Sequence, residues 1–226
     1  MNLINKVIYR MTLQNNNLNR KFAFAKSIDF QMNNRIEGAF IEFGVGRGET
    51  LKIFLEASFV KNYQYSLAIG VDTFEGFPDT YGPEKLNKFN NIELGSRNAT
   101  IKQILRKLRK YRNLKLIKTN LETDNFKLDD ILQSSQKIGI AHFDLDYYEP
   151  TIKALTNLKK HFQIGSILLF DNYYYFRGYS KLGEQLALSE FRELYPNTQI
   201  INYFQYGWHG QAFIISDLQS NEPYEH

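Results

Sequence analysis

The chain has 226 residues, 43% of them hydrophobic, and a formal net charge of +4 at pH 7. This length and apolar content can bury one sizeable core, while so small and scattered a positive excess does not by itself indicate nucleic-acid binding. The absence of cysteine excludes disulfides, thiolate metal sites and a cysteine nucleophile, and without a long apolar run or a signal-peptide pattern we expect a cytoplasmic protein with no membrane span.

The first 37 residues predict an N-terminal helical extension, interrupted by the Asn-rich run at residues 14–19. This extension could serve as a lid over the site or pair two subunits in a homodimer. A strand is predicted at Ala39–Phe43, followed by a glycine turn and then by a helix that directs Leu51, Phe54 and Leu55 inward.

Strands and helices then alternate along the chain. Further strands are predicted within residues 65–72, 113–120, 137–146, 165–173, 198–204 and 210–217, and helices within 97–112, 149–162 and 181–194. The alternation indicates a parallel sheet with helices on both faces, and the short final connection makes the last strand antiparallel. Seven strands with only the last reversed is the layout of the class I methyltransferase fold. We therefore predict a single α/β, Rossmann-like domain over residues 1–226, with its core at 38–218.

Three glycines, Gly44, Gly46 and Gly48, directly follow the first strand and precede a helix. Glycines at this point let the backbone turn tightly and let a ligand approach closely. Asp72, followed by Thr73, closes the second strand, where an acid is well placed to accept both hydroxyls of an adenosine ribose. Asp72 could instead cap the turn that follows it. We predict a cofactor site built by these five residues.

Two acids flank the glycines, and they favour one cofactor over another. Glu49 would repel the pyrophosphate of a dinucleotide, whereas S-adenosylmethionine carries an ammonium and a sulfonium group. Glu42 could bind that ammonium group or order the glycine loop. We therefore predict S-adenosylmethionine as the cofactor.

Acidic side chains also end two later strands that are predicted to be neighbours. Asp144 closes one strand, and Asp171 with Asn172 closes the next. The two carboxylates would repel each other without a cation between them, and carboxylate and amide oxygens suit Mg²⁺. A metal ion there could lower the pKa of an acceptor hydroxyl, and Asp144 could take the proton. Alternatively, these residues form a helix cap and a turn, as we expect for Asp146 and Glu149.

Other candidates carry weaker signals. His209, in the turn between the last two strands, is a candidate second proton acceptor or a packed turn residue. His142 is expected to be a satisfied core group. The basic helix within residues 97–112 is expected to be a solvated surface, with RNA or an anionic glycan as the alternative contact, and the loop at 73–96 is expected to close as a lid.

Four stretches, "IEFGVGRGET", "GVDTFEGFPD", "FDLDYYEPTIKAL" and "GSILLFDNY", resemble in order the motifs of the macrocin O-methyltransferase family (TylF/MycF type), which methylates sugar hydroxyls. The resemblance implies S-adenosylmethionine and a magnesium-assisted methyl transfer. It places Glu42, Gly44 and Asp72 at the cofactor, Asp144 as metal ligand and base, and Asp171 with Asn172 as metal ligands. Family members have a second Asp where this chain has Asn172.

The leading hypothesis is therefore an O-methyltransferase that acts on a sugar or a small polyol-like acceptor. The alternatives are an NAD-dependent oxidoreductase and a catalytically silent glycan-binding relative. We expect a small-molecule or glycosyl partner and no nucleic acid.

Overall fold

A computed structural model of the protein describes residues 16–76, 84 and 99–219. The helices are α1 (Asn16–Asn33), α2 (Glu49–Lys61), α3 (Ile101–Leu108), α4 (Tyr148–Leu158) and α5 (Gly183–Leu194). The strands are β1 (Ala39–Phe43), β2 (Ala68–Asp72), β3 (Leu114–Lys118), β4 (Ile138–Phe143), β5 (Ile167–Phe170), β6 (Gln199–Tyr206) and β7 (Gly210–Asp217).

The strands form one seven-stranded sheet in the order β3-β2-β1-β4-β5-β7-β6. Strands β1 to β5 run parallel, and β7 is antiparallel to both of its neighbours. The chain order reverses between β1 and β4, which is where ligands bind in open sheets of this type. The predicted Rossmann-like class I methyltransferase fold is confirmed.

Side chains alternate between the two faces of the sheet, and each face is covered by helices. On β1, Ile41 and Phe43 belong to the buried cluster that contains residues of α4 and α5. Phe40 belongs to the other cluster, with residues of α1, α2 and α3. In that second cluster the rings of Phe40 and Phe54 stack with their centroids 3.6 Å apart. Both faces of the sheet are therefore shielded from solvent, as a parallel sheet requires.

Helix α1 starts at Asn16, so the predicted interruption at residues 14–19 is wrong from that residue onwards. Asparagine has low intrinsic helix propensity, but packing of an apolar stripe outweighs propensity. Phe24 and Ile28, four residues apart, are fully buried against the sheet. Gln31 continues the stripe and donates a 2.8 Å hydrogen bond to the carbonyl of Gly165. Residues 1–15 lie outside the described residues, so a lid or homodimer role of the extension stays a prediction.

Two further expectations concern helix α3 and the loop before it. The helix is shorter than predicted and begins at a capping box in which Thr100 and Gln103 each bond to the other's backbone N–H. Most of the loop at 73–96 lies outside the described residues, so its role as a lid is untested.

None of the described helices is long and apolar enough to cross a membrane.

Candidate active site

The predicted site residues meet at the carboxyl edge of the parallel strands. Asp144 follows β4, and its N–H donates a 2.9 Å bond to the carbonyl of Phe43 on β1. Asp171 follows β5, and its N–H donates a 2.9 Å bond to the carbonyl of Phe143 on β4. Because these bonds extend the sheet ladder, both acids emerge side by side at the ends of the neighbouring strands β4 and β5.

A cavity of about 440 Å³ opens at this edge. It is lined from the glycine loop (residues 44–47) through Asp72 and Thr73 to residues 144–147, with Arg20 of α1 on its wall. A second cavity of about 460 Å³ lies beside α3 and the glycine loop and is lined by Arg47, Ala99, Gln103, Ile104, Arg106 and Lys107. The second cavity contains none of the predicted site residues, so we place the site in the first.

The three loop glycines all have positive φ angles, 87° at Gly44, 50° at Gly46 and 73° at Gly48, which glycine adopts without strain. Asp72 accepts a 2.8 Å bond from the N–H of Gly46 and a 2.6 Å bond from that of Phe74. This carboxylate therefore joins the glycine loop to the turn after β2. Asp72 still lines the cavity, and its binding of a ribose stays a prediction.

Asp144 and Asp171 converge on a single nitrogen atom, and that atom belongs to Arg20. Nη2 of Arg20 lies 2.7 Å from Oδ2 of Asp144 and 2.6 Å from Oδ2 of Asp171. Nε of Arg20 donates a further 3.2 Å bond to Oδ1 of Asp171, so the guanidinium holds that carboxylate with two nitrogens. Burial alone would lower the pKa of Arg20, but the two carboxylates outweigh burial and raise it.

Sequence reasoning missed Arg20, although a signal for it exists in the spacing. Arg20, Phe24 and Ile28 are four residues apart, so they lie along one side of α1. Since Phe24 and Ile28 are fully buried, the same side carries Arg20 towards the sheet. A cation at the end of an apolar helical stripe indicates a buried acidic partner.

The residues predicted to bind Mg²⁺ lie together but do not fit that ion as they are arranged. Arg20 occupies the point where the oxygens of Asp144 and Asp171 meet. Asn172 directs its amide nitrogen, not its oxygen, to Oδ1 of Asp144 at 3.2 Å. Among the described residues, no group of three or more His, Asp or Glu side chains could hold a metal ion. The magnesium site stays a prediction that would require Arg20 to withdraw.

Behind the acids, His142 is buried as expected of a core group, and its partners are charged. The ring lies between two carboxylates, with Nδ1 3.2 Å from Oε1 of Glu42 and Nε2 3.7 Å from Oδ1 of Asp171. Burial alone would lower the pKa of His142, but Asp171 and Glu42 raise it to about 9. Burial likewise would raise the pKa of Asp171, yet His142 and Arg20 hold it well below its usual range. Burial raises the pKa of Glu42.

A second buried acid, Glu184 in the first turn of α5, was also missed. Its Oε2 accepts a 3.0 Å bond from the N–H of Asn172, while its Oε1 has no hydrogen-bond partner among the described residues. Burial, reinforced by Asp146, Asp171 and Asp144, raises its pKa well above the ordinary value. Glu184 thus supports the backbone beneath the site.

The remaining predicted residues have structural contacts. Nδ1 of His209 contacts the carbonyl oxygen of Asp171, so that nitrogen carries the proton and donates it, as expected for a packed turn histidine. His209 is not among the residues that line the cavity. The cap position of α4 is Tyr147, which makes no side-chain bond, and not Asp146 as predicted, while Glu149 lies in the first turn of the helix. Glu84, from the preceding loop region, accepts from the N–H of Tyr148 at 3.2 Å.

Comparison with known proteins supports the family resemblance found in the sequence. Residues 12–201 match the model of a family described as macrocin-O-methyltransferase (TylF). No curated protein sequence matches the chain.

Several solved structures are similar in fold. The O-methyltransferase NovP has a TM-score of 0.62 at 19% sequence identity, over 88% of this chain and 80% of NovP. The calicheamicin methyltransferase CalS11 has a TM-score of 0.64 at 20% identity, over 87% of this chain and 79% of CalS11. An apo structure of CalS11, described as a TDP-rhamnose 3'-O-methyltransferase, has a TM-score of 0.56 at 19% identity, over 87% and 78% of the two chains.

Proposed function

Since the chain belongs to the macrocin O-methyltransferase (TylF) family, we propose that it transfers the methyl group of S-adenosylmethionine to a hydroxyl of a sugar or small polyol-like acceptor. The observation that carries this proposal is the cavity that joins the glycine loop and Asp72 to Asp144. A cofactor bound at the loop would thus place its reactive end near an acid. Family membership argues against the NAD-dependent oxidoreductase.

The cofactor end of the cavity suits S-adenosylmethionine. Its volume of about 440 Å³ lies within the range of small-molecule sites. In our proposal Gly44 and Gly46 let the cofactor approach the backbone, and Asp72 with Thr73 binds the ribose. Gly48 does not line the cavity, because the space that its side chain would fill is taken by Ile104 of α3. Glu42 is fully buried, does not line the cavity and faces Nδ1 of His142 at 3.2 Å, so we do not assign it to the cofactor.

At the other end of the cavity, Asp144 accepts the proton of the acceptor hydroxyl. When bound, S-adenosylmethionine supplies an electrophilic methyl carbon. Its methyl group would pass from sulfur to the acceptor oxygen, which would leave S-adenosylhomocysteine and a methyl ether as products. Asp144 is held by Arg20 at 2.7 Å and by Asn172 at 3.2 Å, which fixes its carboxylate for this role. Alignment of the acceptor oxygen, the methyl carbon and the sulfur supplies most of the remaining rate enhancement.

The proposed acceptor class rests on similarity. CalS11 is described as a TDP-rhamnose 3'-O-methyltransferase, and it shares the fold of this chain over most of its length. A nucleotide-linked or natural-product-linked sugar is therefore the first acceptor class to test.

The test separates cofactor binding from chemistry with Asp144→Asn. We expect calorimetry to show S-adenosylhomocysteine binding to the wild type and to the variant with similar affinity. Mass spectrometry of a panel of nucleotide sugars and glycosylated metabolites should find a methylated product whose rate of formation falls about 10²- to 10⁴-fold in the variant, because the proton acceptor is lost.

Asp130→Asn is the matched control, since Asp130 is exposed and does not line the cavity. This control should methylate like the wild type. Absence of S-adenosylhomocysteine binding to the wild type at high micromolar concentration would contradict the proposal. Sugar binding without any methyl transfer would support the silent glycan-binding relative.

A further inference from the structure

We infer that Arg20 is the resident cation of the active site and replaces a divalent metal ion in the methyl transfer, an inference that rests on the proposed function. Arg20 acts as a positioning residue, because it holds the carboxylate of Asp144 that receives the proton. The consequence is a reaction that proceeds without added metal.

The first step of the argument is geometric. A metal ion bridging Asp144 and Asp171 would need the oxygens that Nη2 of Arg20 already contacts at 2.7 and 2.6 Å. Asp171 is held by Nε as well, at 3.2 Å, in the two-nitrogen geometry that suits guanidinium and carboxylate groups. The ion and the guanidinium therefore compete for one place.

The second step concerns charge. Asp144 and Asp171 bring two negative charges, and Asn172 beside them is neutral. The exposed fractions of the side chains are 14% for Arg20, 17% for Asp144 and 5% for Asp171, so water screens this cluster poorly. Mg²⁺ added beside Arg20 would place three positive charges against two negative ones. The ion could enter only if Arg20 moved away.

The third step is that the helix carrying Arg20 is held in place. Phe24 and Ile28, on the same side of α1, are fully buried, and the ring of Phe24 packs 5.4 Å from that of His142. Removing Arg20 from the acids would break charge-assisted bonds to two largely buried carboxylates, which is strongly unfavourable. The packing of α1 thus fixes the cation at the acids.

The experiment compares the wild type with Arg20→Met and with the control Lys21→Met, which removes the same charge from the neighbouring, exposed residue. Binding of Mn²⁺ is measured by electron paramagnetic resonance, and methyl transfer is measured with EDTA, with Mg²⁺ and with added methylguanidine.

We expect the wild type and Lys21→Met to bind no Mn²⁺ at micromolar concentrations and to keep full turnover in EDTA. Arg20→Met should lose at least about 100-fold in turnover. Because two unpaired carboxylates remain, this variant should gain Mn²⁺ binding and recover part of its turnover with Mg²⁺ or methylguanidine. A merely structural role of Arg20 would produce neither the new metal binding nor the rescue.

Stoichiometric Mn²⁺ binding by the wild type together with loss of turnover in EDTA would overturn the inference while leaving the proposed methyl transfer intact. Conversely, failure to bind S-adenosylhomocysteine would overturn the proposed function, a result that the metal measurements do not affect. If Arg20→Met does not fold, Arg20→Lys serves instead. Lysine keeps the charge but loses the two-nitrogen contact, so reduced turnover without Mn²⁺ binding supports the inference, and Mn²⁺ binding overturns it.

Discussion

A row of charged residues runs from Glu42 through His142 and Asp171 to Arg20 and Asp144, the last two of which line the cavity. Acidic and basic groups alternate along it, so each buried charge has an opposite neighbour, which is the condition for keeping charges out of water. The row arises because every second residue of a strand faces the same way. Glu42, His142, Asp144 and Asp171 all fall on the face that α1 covers.

Because of His142, we expect the free energy of unfolding to decrease at alkaline pH. Its pKa is about 9 in the folded protein and 6.5 in the unfolded chain, so the charged form stabilises the fold. This contribution is fully present below pH 6.5 and is lost as the pH rises through about 9. We expect it to amount to about 3 kcal/mol in the free energy of unfolding.

Urea denaturation of the wild type and of His142→Asn between these pH values checks this prediction. The loss of stability with rising pH should be smaller in the variant, which has no imidazole to titrate. If the free energy of unfolding changes with pH in the same way in both proteins, His142 is not the cause of the pH dependence.

At the scale of the elements, the glycine loop is constrained by its close approach to the end of β4. The φ of Gly44 is 87°, and a Cβ atom there would collide with the carbonyl oxygen of Asp144. The close approach brings the loop next to the residue proposed to receive the proton. This glycine therefore couples the cofactor end of the cavity to its chemical end.

Gly44→Ala should lower the free energy of unfolding by about 3 kcal/mol or more, since it adds a backbone collision to an unfavourable φ. Gly178→Ala is the matched control. Gly178 has a similar φ of 72° but no atom within 4 Å of the added Cβ, so about 1 kcal/mol is expected. If urea denaturation shows the same loss of unfolding free energy in both variants, the contact with Asp144 is unimportant.

At the scale of the whole molecule, Glu84 connects segments that are far apart in the chain. Its carboxylate accepts from the N–H of Tyr148 at 3.2 Å and from the N–H of Gly183 at 2.5 Å, at the first residues of α4 and α5. Helix N-termini stabilise negative charge, and two of them share this one carboxylate. Tyr148 also donates a 2.5 Å bond to Glu190, which ties α4 to α5 a second time.

We expect Glu84→Ala to lower the free energy of unfolding by about 1–2 kcal/mol, because two helix starts lose their acceptor. Glu149→Ala is a suitable comparison. Glu149 lies in the first turn of α4, is exposed and forms an ion pair with Lys153 four residues on, so a change of a few tenths of a kcal/mol is expected. Indistinguishable thermal denaturation curves for the two variants would contradict the bridging role.

The fold and the convergence of the acids could be predicted from the sequence because both depend on local rules. Alternating strands and helices imply a parallel sheet, and parallel strands bring their carboxyl ends, hence Asp144 and Asp171, to one edge. The need for a cation between these acids also follows from their charge alone. Local patterns likewise place Gly44 at a tight turn.

The identity of that cation was decided only by the tertiary structure. Arg20 lies 124 residues before Asp144 in the chain, and nothing local relates the two. The docking of α1 through Phe24 and Ile28 brings them together, and the same docking covers the ring of His142, whose two acids come from the neighbouring strands β1 and β5. Sequence by itself determined which charges needed partners, whereas the partners depend on long-range packing, which short-range spacing does not encode.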